Sequence, residues 1–242
     1  MPGHFWGAKV EQKKTAVYID GYNLYYGRLR GSSFKWLDLP TLFDALLKAQ
    51  DPASVVDAVK FFTAPALGSF ASHGQDSVDA QDAYHRALSV RHPQRFSIKL
   101  GNHSMDRKGA LMPTFVDGQP YDRQRLTRVW RIEEKKTDVN IAMAMYRDAC
   151  RGFFDQVVLC SNDSDAEPAL EALREDFPMI VIGLVTPIRP PVDGAAQRRF
   201  SVSLATHAHW VRKYILDEEL AIAQLPIIIP TRKKPIRKPG HW

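Results

Sequence analysis

Cysteine is scarce in this 242-residue chain, with only Cys150 and Cys160 present and neither in a CxxC pair. A disulfide framework is thereby excluded, and His207-x-His209 has no partnering ligands at the spacing a zinc site needs. No apolar run approaches membrane-spanning length, and the first stretch, MPGHFWGAKVEQKK, lacks the apolar core of a signal peptide. The expectation is a soluble protein in a reducing, cytoplasmic setting, without a membrane partner. Neither G-x-G-x-x-G nor G-x-x-x-x-G-K-[ST] occurs, which weighs against a nucleotide-dependent small-molecule enzyme on a Rossmann-like sheet. Internal repeats are absent as well.

What the chain does have is acid at the ends of apolar runs. Asp20 ends the run AVYI in AVYIDGYN, Asp138 lies in EEKKTDVNIAMAMY, and Asp163 and Asp165 follow VVLC in VVLCSNDSDAEP. The runs Thr15 to Ile19 and Gln156 to Cys160 read as buried parallel strands. Ligands of open α/β sheets gather outside the carboxyl ends of the strands, where Asp20, Asp163 and Asp165 would emerge. Carboxylates held together repel one another and need protons or cations to offset them. A hard dication with oxygen ligands fits, Mg²⁺ first and Mn²⁺ as its substitute. Taken singly, Asp138 and Asp163 read better as helix N-caps than as ligands. Taken jointly with Asp20, convergence favours metal ligation, since capping does not predict three acids at one edge.

The remaining pattern alternates as βαβα. Helical spacing covers Asn23 to Arg30 and Leu39 to Ala49, the latter behind a capping Asp38 and Pro40. Val55 to Thr63, Phe96 to Leu100 and Met179 to Thr186 read as strands. Asp76 to Val90, 138 to 150 and 165 to 176 read as helices. A loop carrying Pro187, Pro190, Pro191 and Gly194 precedes a last amphipathic piece at Leu204 to Leu225.

One α/β domain with an insertion is therefore expected. Residues 1–13 form an N-terminal extension, 14–225 the domain, 101–132 an inserted basic loop or hairpin, and 226–242 a basic, Pro-rich tail. The insertion interleaves Arg107, Lys108, Arg125, Arg128 and Arg131 with Phe115, Tyr121 and Trp130. The tail, IIIPTRKKPIRKPGHW, contains Arg232, Lys233, Lys234, Arg237 and Lys238 without an acid, and its prolines forbid a helix. It reads as a solvated disordered tail. The apolar Leu225 to Ile229 would dock as an edge strand on this subunit or on a neighbour, the second case giving a homodimer. A formal charge of +6 permits polyanionic partners, because Lys and Arg gain affinity by releasing counterions from phosphates.

The order IDGYN, then EKKTD with alanine four residues on, then SNDSDAEP resembles the NYN domain, in its LabA-like bacterial branch, within the PIN-like nuclease superfamily. The resemblance runs over roughly residues 14 to 186. It implies a Rossmann-like three-layer αβα sandwich with a mainly parallel sheet and, in active members, metal-dependent RNA hydrolysis. Position by position, Asp20 matches the family's first acid and Asn23 the polar residue after it. Asp138 matches the acid that opens the fourth helix, and Asp163 with Asp165 the acidic pair. Glu134 matches the glutamate of EK-x-x-D and shares the face of Asp138 only if the helix starts early. Asn162 departs from the glycine of many members.

The implied function is a Mg²⁺- or Mn²⁺-dependent ribonuclease with Asp20, Asn23, Asp138, Asp163 and Asp165 catalytic and the four aspartates holding metal. RNA, single-stranded or structured, is the expected partner. Candidate contacts are Tyr22, Arg107, Lys108, Arg125, Arg128, Arg131, Lys135, Arg232, Lys233 and Lys234. Tyr25 reads as core packing. The alternatives are a catalytically weak NYN domain that binds RNA or assembles, and the disfavoured small-molecule enzyme.

Overall fold

The computed structural model describes residues 12–191 and 198–242. The proposed N-terminal extension lies outside the described residues through position 11, as do positions 192–197 of the Pro/Gly loop. Along the chain, β1 (Lys13–Asp20) leads into α1 (Gly21–Leu24), which continues as a π-helical turn over Tyr25–Leu29. Then come α2 (Leu39–Gln50), β2 (Ser54–Thr63), α3 (Gln75–Arg91) and β3 (Phe96–Leu100). The insertion contributes β4 (Asn102–Met105), β5 (Ala110–Pro113), β6 (Leu126–Val129) and β7 (Ile132–Lys135). Afterwards α4 (Thr137–Cys150), β8 (Gln156–Cys160), α5 (Glu167–Asp176) and β9 (Val181–Val185) restore the alternation. The described chain closes with α6 (Val202–His207), β10 (Trp210–Arg212), α7 (Asp217–Ile222), β11 (Ile228–Ile229) and β12 (Ile236–Arg237).

The central sheet has six strands in the order β10-β9-β8-β1-β2-β3, and every pairing in it is parallel. Side-chain alternation splits β1 between two cores. Val17 and Ile19 join Trp36, Leu42, Phe43, Tyr84 and Leu88 under α2 and α3. Ala16 and Tyr18 join Ile141, Met145, Leu159, Leu170 and Leu173 under α4 and α5. Burial on both faces is why β1 and β8 are continuously apolar, and the three-layer αβα sandwich follows. Chain order runs outward in both directions from β1 and β8. Their seam is thus the topological switch point, where a crevice opens beyond the strand ends.

Three expectations need correction. The amphipathic piece at Leu204 to Leu225 is not one element, for Trp210–Arg212 within it forms a sixth sheet strand against Gly183–Val185. That strand is short, and Gly183 makes room for it: a Cβ there would lie 2.1 Å from the Trp210 ring. The insertion extends past residue 132, because β4 pairs with β7 and β5 with β6 to make a two-part antiparallel ribbon reaching Lys135. The tail is not a solvated coil. Ile228 and Ile229 pair with Arg237 and Ile236, Ile229 and Ile236 are buried, and Trp242 packs edge-on to Trp36 with ring centroids 6.2 Å apart. The end of the apolar segment before the tail pairs with the tail itself.

Candidate active site

Asp20 is the last residue of β1, and its carboxylate is almost wholly buried. Its Oδ1 accepts the Asn23 backbone N–H at 2.9 Å, capping α1. Its Oδ2 accepts both Asn23 Nδ2 at 2.7 Å and Ser161 Oγ at 2.8 Å. The tight turn after it requires Gly21, since a Cβ there would lie 2.6 Å from the Phe61 ring and 2.8 Å from the Phe62 carbonyl oxygen. Burial raises the Asp20 pKa, the three hydrogen bonds oppose that, and Asp163 adds to it.

Across the seam, Asp163 follows β8 and caps a short 3-10 turn, accepting the Asp165 N–H at 3.2 Å. Its own N–H donates to Ser161 Oγ at 3.1 Å. Ser161 thus joins the ends of β1 and β8 through one hydroxyl. Asp138 lies in the first turn of α4 but is not its cap, because Lys136 holds the N-cap position in a left-handed conformation (φ 77°). Its carboxyl is pushed up to about 6, by burial first and then by the charges of Asp20, Asp163, Glu134 and Asp165. The acids from three separated stretches thus lie within electrostatic reach of one another at one sheet edge.

Glu134 belongs to it too. It arrives on β7 at the base of the ribbon rather than on an early turn of α4, and its Oε1 accepts a hydrogen bond from the Thr137 hydroxyl. Burial raises its pKa, the Thr137 bond opposes this, and Asp20 adds to the rise. The EK-x-x-D match was the available signal. A second site neighbour, Arg198, had none. Its Nη2 donates to Asn23 Oδ1 at 2.9 Å, so a guanidinium stands one side chain away from Asp20. Asn162, the departure from glycine, holds that approaching segment: Nδ2 donates to the Arg199 carbonyl at 2.9 Å and Oδ1 accepts the Ser201 N–H at 2.7 Å.

The expected contact residues are not gathered there. Tyr22 is exposed beside the acids, within electrostatic reach of Glu134. Arg107, Lys108, Arg125, Arg128 and Arg131 lie exposed along the ribbon. Arg131 and Lys135 both pair with Glu133, Arg128 donates to the Lys108 carbonyl at 2.7 Å, and Arg125 to Gln119 Oε1 at 3.1 Å. Arg232, Lys233 and Lys234 occupy the exposed turn between β11 and β12. Among the described residues, no hydrogen bond or ion pair joins either basic set to the acids. Tyr25, expected in the core, is 38% exposed; the π-helical turn swings it out.

The donor set suits a hard dication in chemistry and in charge, since every candidate ligand is a carboxylate and Asp138 already resists ionisation. Among the described residues, however, no three of these acids stand close enough to form a ready-made cage.

The family model for the NYN domain matches residues 14–202. The chain is 36% identical over 246 residues to the 6-hydroxy-3-succinoylpyridine 3-monooxygenase HspA of Pseudomonas putida, a match covering 96% of this chain and 76% of that protein. A crystal structure of a protein of unknown function from Vibrio parahaemolyticus shares the fold with a TM-score of 0.51 at 17% identity, covering 86% of this chain and 96% of that one.

Proposed function

Since this chain belongs to the NYN domain family, we propose that it hydrolyses RNA phosphodiester bonds at the acidic cluster, with Mg²⁺ or Mn²⁺ as cofactor. The observation that supports this reading is the seam of β1 and β8, where the Ser161 hydroxyl donates to Asp20 Oδ2 at 2.8 Å and accepts the Asp163 N–H at 3.1 Å, so that acids from separated stretches meet at one sheet edge. Asp20, Asp138, Asp163 and Asp165 would hold the cation, with Glu134 beside them. When bound, the metal supplies Lewis-acid polarisation of the phosphate and the positive charge that the cluster lacks. The chain's own groups do the rest. Asn23 and Ser161 fix the orientation of Asp20 through its Oδ2. Arg198, beside Asn23, offers a cation to phosphate oxygens.

A second reading rests on the relative's name. Identity of 36% across 96% of the chain supports hydroxylation of a pyridine ring, a reaction that needs O₂ and a two-electron donor. Both readings are tested in parallel with purified protein. One arm incubates labelled single-stranded RNA with Mg²⁺, with EDTA, and with an Asp138→Asn control. The other supplies 6-hydroxy-3-succinoylpyridine, O₂ and NADH and follows the product by mass spectrometry. Metal-dependent cleavage lost in Asp138→Asn supports the nuclease. Oxygen insertion without cleavage replaces it, and RNA binding without turnover points to a binding or assembly module.

A further inference from the structure

The segment after Asp20 carries a feature that acid chemistry does not use. Tyr22, Tyr25 and Tyr26 are 47%, 38% and 44% exposed, although large exposed aromatics in one patch are uncommon on a surface that binds nothing. Their common orientation has a cause in the backbone. The Arg30 N–H reaches back to the Tyr25 carbonyl at 2.7 Å, five residues earlier, so Tyr25–Leu29 is a π-helical turn with one residue more than an α-turn holds.

Its inner side is firmly seated. Leu24 and Leu29 are in the core, and Arg28 is buried, with Nε donating to the Ile215 carbonyl at 2.7 Å and its guanidinium paired with Asp217. Gly27 lies so close to Pro187 that a Cβ would be 2.3 Å from the Pro187 carbonyl oxygen. With Leu24, Gly27, Arg28 and Leu29 turned inward, the tyrosines have only the outer side left.

There they form one surface. The Tyr22 and Tyr26 rings are 4.4 Å apart between centroids, and Tyr25 stands at 89° to Tyr26 with centroids 5.0 Å apart. The Arg30 guanidinium lies 5.3 Å from the Tyr26 centroid. Rings that brace one another lose little freedom when a third ring is added, and the adjacent cation suits a phosphate attached to that ring. Tyr22 is two positions after Asp20, so the surface continues directly from the acidic cluster.

We infer that Tyr22, Tyr25 and Tyr26 form a stacking subsite for an unpaired nucleobase flanking the phosphate held at the acids. The inference deepens the ribonuclease reading and rests on it for the identity of the ring. A base inside a duplex hides its faces in its own stack, so the subsite selects single-stranded RNA.

The test uses the full-length chain with Asp138→Asn to prevent cleavage, and single-stranded RNA carrying 2-aminopurine at successive positions. Binding should quench the probe at one position. Tyr22→Leu with Tyr26→Leu should weaken binding about tenfold or more, as expected for the loss of base stacking. Tyr22→Phe with Tyr26→Phe should restore it, because only the rings are needed. An RNA abasic at the quenched position should bind wild-type and leucine chains alike. Equal affinity of wild-type and leucine chains, or no binding by either, overturns the subsite. Displacement of the RNA by free 6-hydroxy-3-succinoylpyridine would reassign the platform to a small ring and overturn the nucleobase. Quenching by a chain whose parent, with Asp138 restored, cleaves no RNA leaves the subsite standing while the hydrolytic reading fails.

Discussion

The hydroxyl of Ser161 donates to Oδ2 of Asp20 at 2.8 Å, although 141 residues separate them in sequence. The bond closes the seam between β1 and β8 at the point where the acids gather. Asn23 Nδ2 donates to the same oxygen, so the buried carboxylate depends on both partners.

Ser161→Ala and Asn23→Ala should each lower stability by about 1–3 kcal/mol, the cost of leaving part of a buried charged acceptor unsatisfied. Because the two donors share one oxygen, the double variant should depart from additivity. Urea denaturation of the single and double variants measures both effects. Additive losses would mean that the donors do not share the oxygen in solution.

Asp138→Asn should abolish RNA cleavage with the fold intact. It should also change the pH dependence of stability in metal-free buffer. The folded-state value of about 6 lies above the ordinary aspartate value of 3.8, so the native state holds this proton more tightly than the unfolded chain. Stability from this group is then present below about pH 4 and is lost as pH rises to about 6. The variant should melt at a higher temperature than wild type at pH 7.5, with the gap closing towards pH 4. Thermal scans at the two pH values decide this. Wild-type cleavage by the variant would remove Asp138 from the chemistry.

EDTA should stop cleavage, and Mg²⁺ or Mn²⁺ should restore it. Ca²⁺ should be bound without supporting turnover, as it tolerates looser geometry than the reaction requires. Calorimetric titration of each ion, beside a cleavage assay, checks the prediction. Full activity in chelator would point to a metal-free route.

For the tail, charge and structure must be separated. Converting Arg232, Lys233 and Lys234 to Gln should leave the melting temperature unchanged and reduce the slope of log RNA affinity against log salt by up to about 2. Truncation after Leu225 should instead destabilise the whole domain by about 3–6 kcal/mol, because Ile229 and Ile236 leave the core. Salt titrations and denaturation curves distinguish the two. Coincident slopes would shift RNA tracking to the ribbon.

The strands were legible because burial on both faces demands unbroken apolar runs, as in Val157 to Cys160. The helix after Asp38 was legible because its cap is local: Asp38 Oδ1 accepts the Thr41 N–H at 3.3 Å. Asp20, Asp138 and Asp163 were legible as a group because each follows such a run or opens a helix. What failed to show depended on distant contacts. Tyr25 points outward only because Arg28 is drawn in by Asp217 and the Ile215 carbonyl. Ile236 is buried because β12 pairs with β11 and joins the core beneath α3. Arg198 reaches the site through the amide of Asn23, and for Glu134, which EK-x-x-D did mark, the hidden part was its arrival on a ribbon strand. Neither spacing nor periodicity encodes such partners.

The sheet order also determines how the chain can be divided. β1, β2 and β3 precede the ribbon tip and β8, β9 and β10 follow it, so within the central sheet the halves meet along β1 and β8, while β4 with β7 and β5 with β6 also pair across the tip. A backbone cut at the exposed turn near Gly118 would give two polypeptides, one holding Asp20 and the other Asp138 and Asp163, each with a bare, aggregation-prone strand edge. Neither piece has a complete site. Co-expressed, they should reassemble along that edge and regain whatever activity the intact chain has, making this domain a natural candidate for a split reporter.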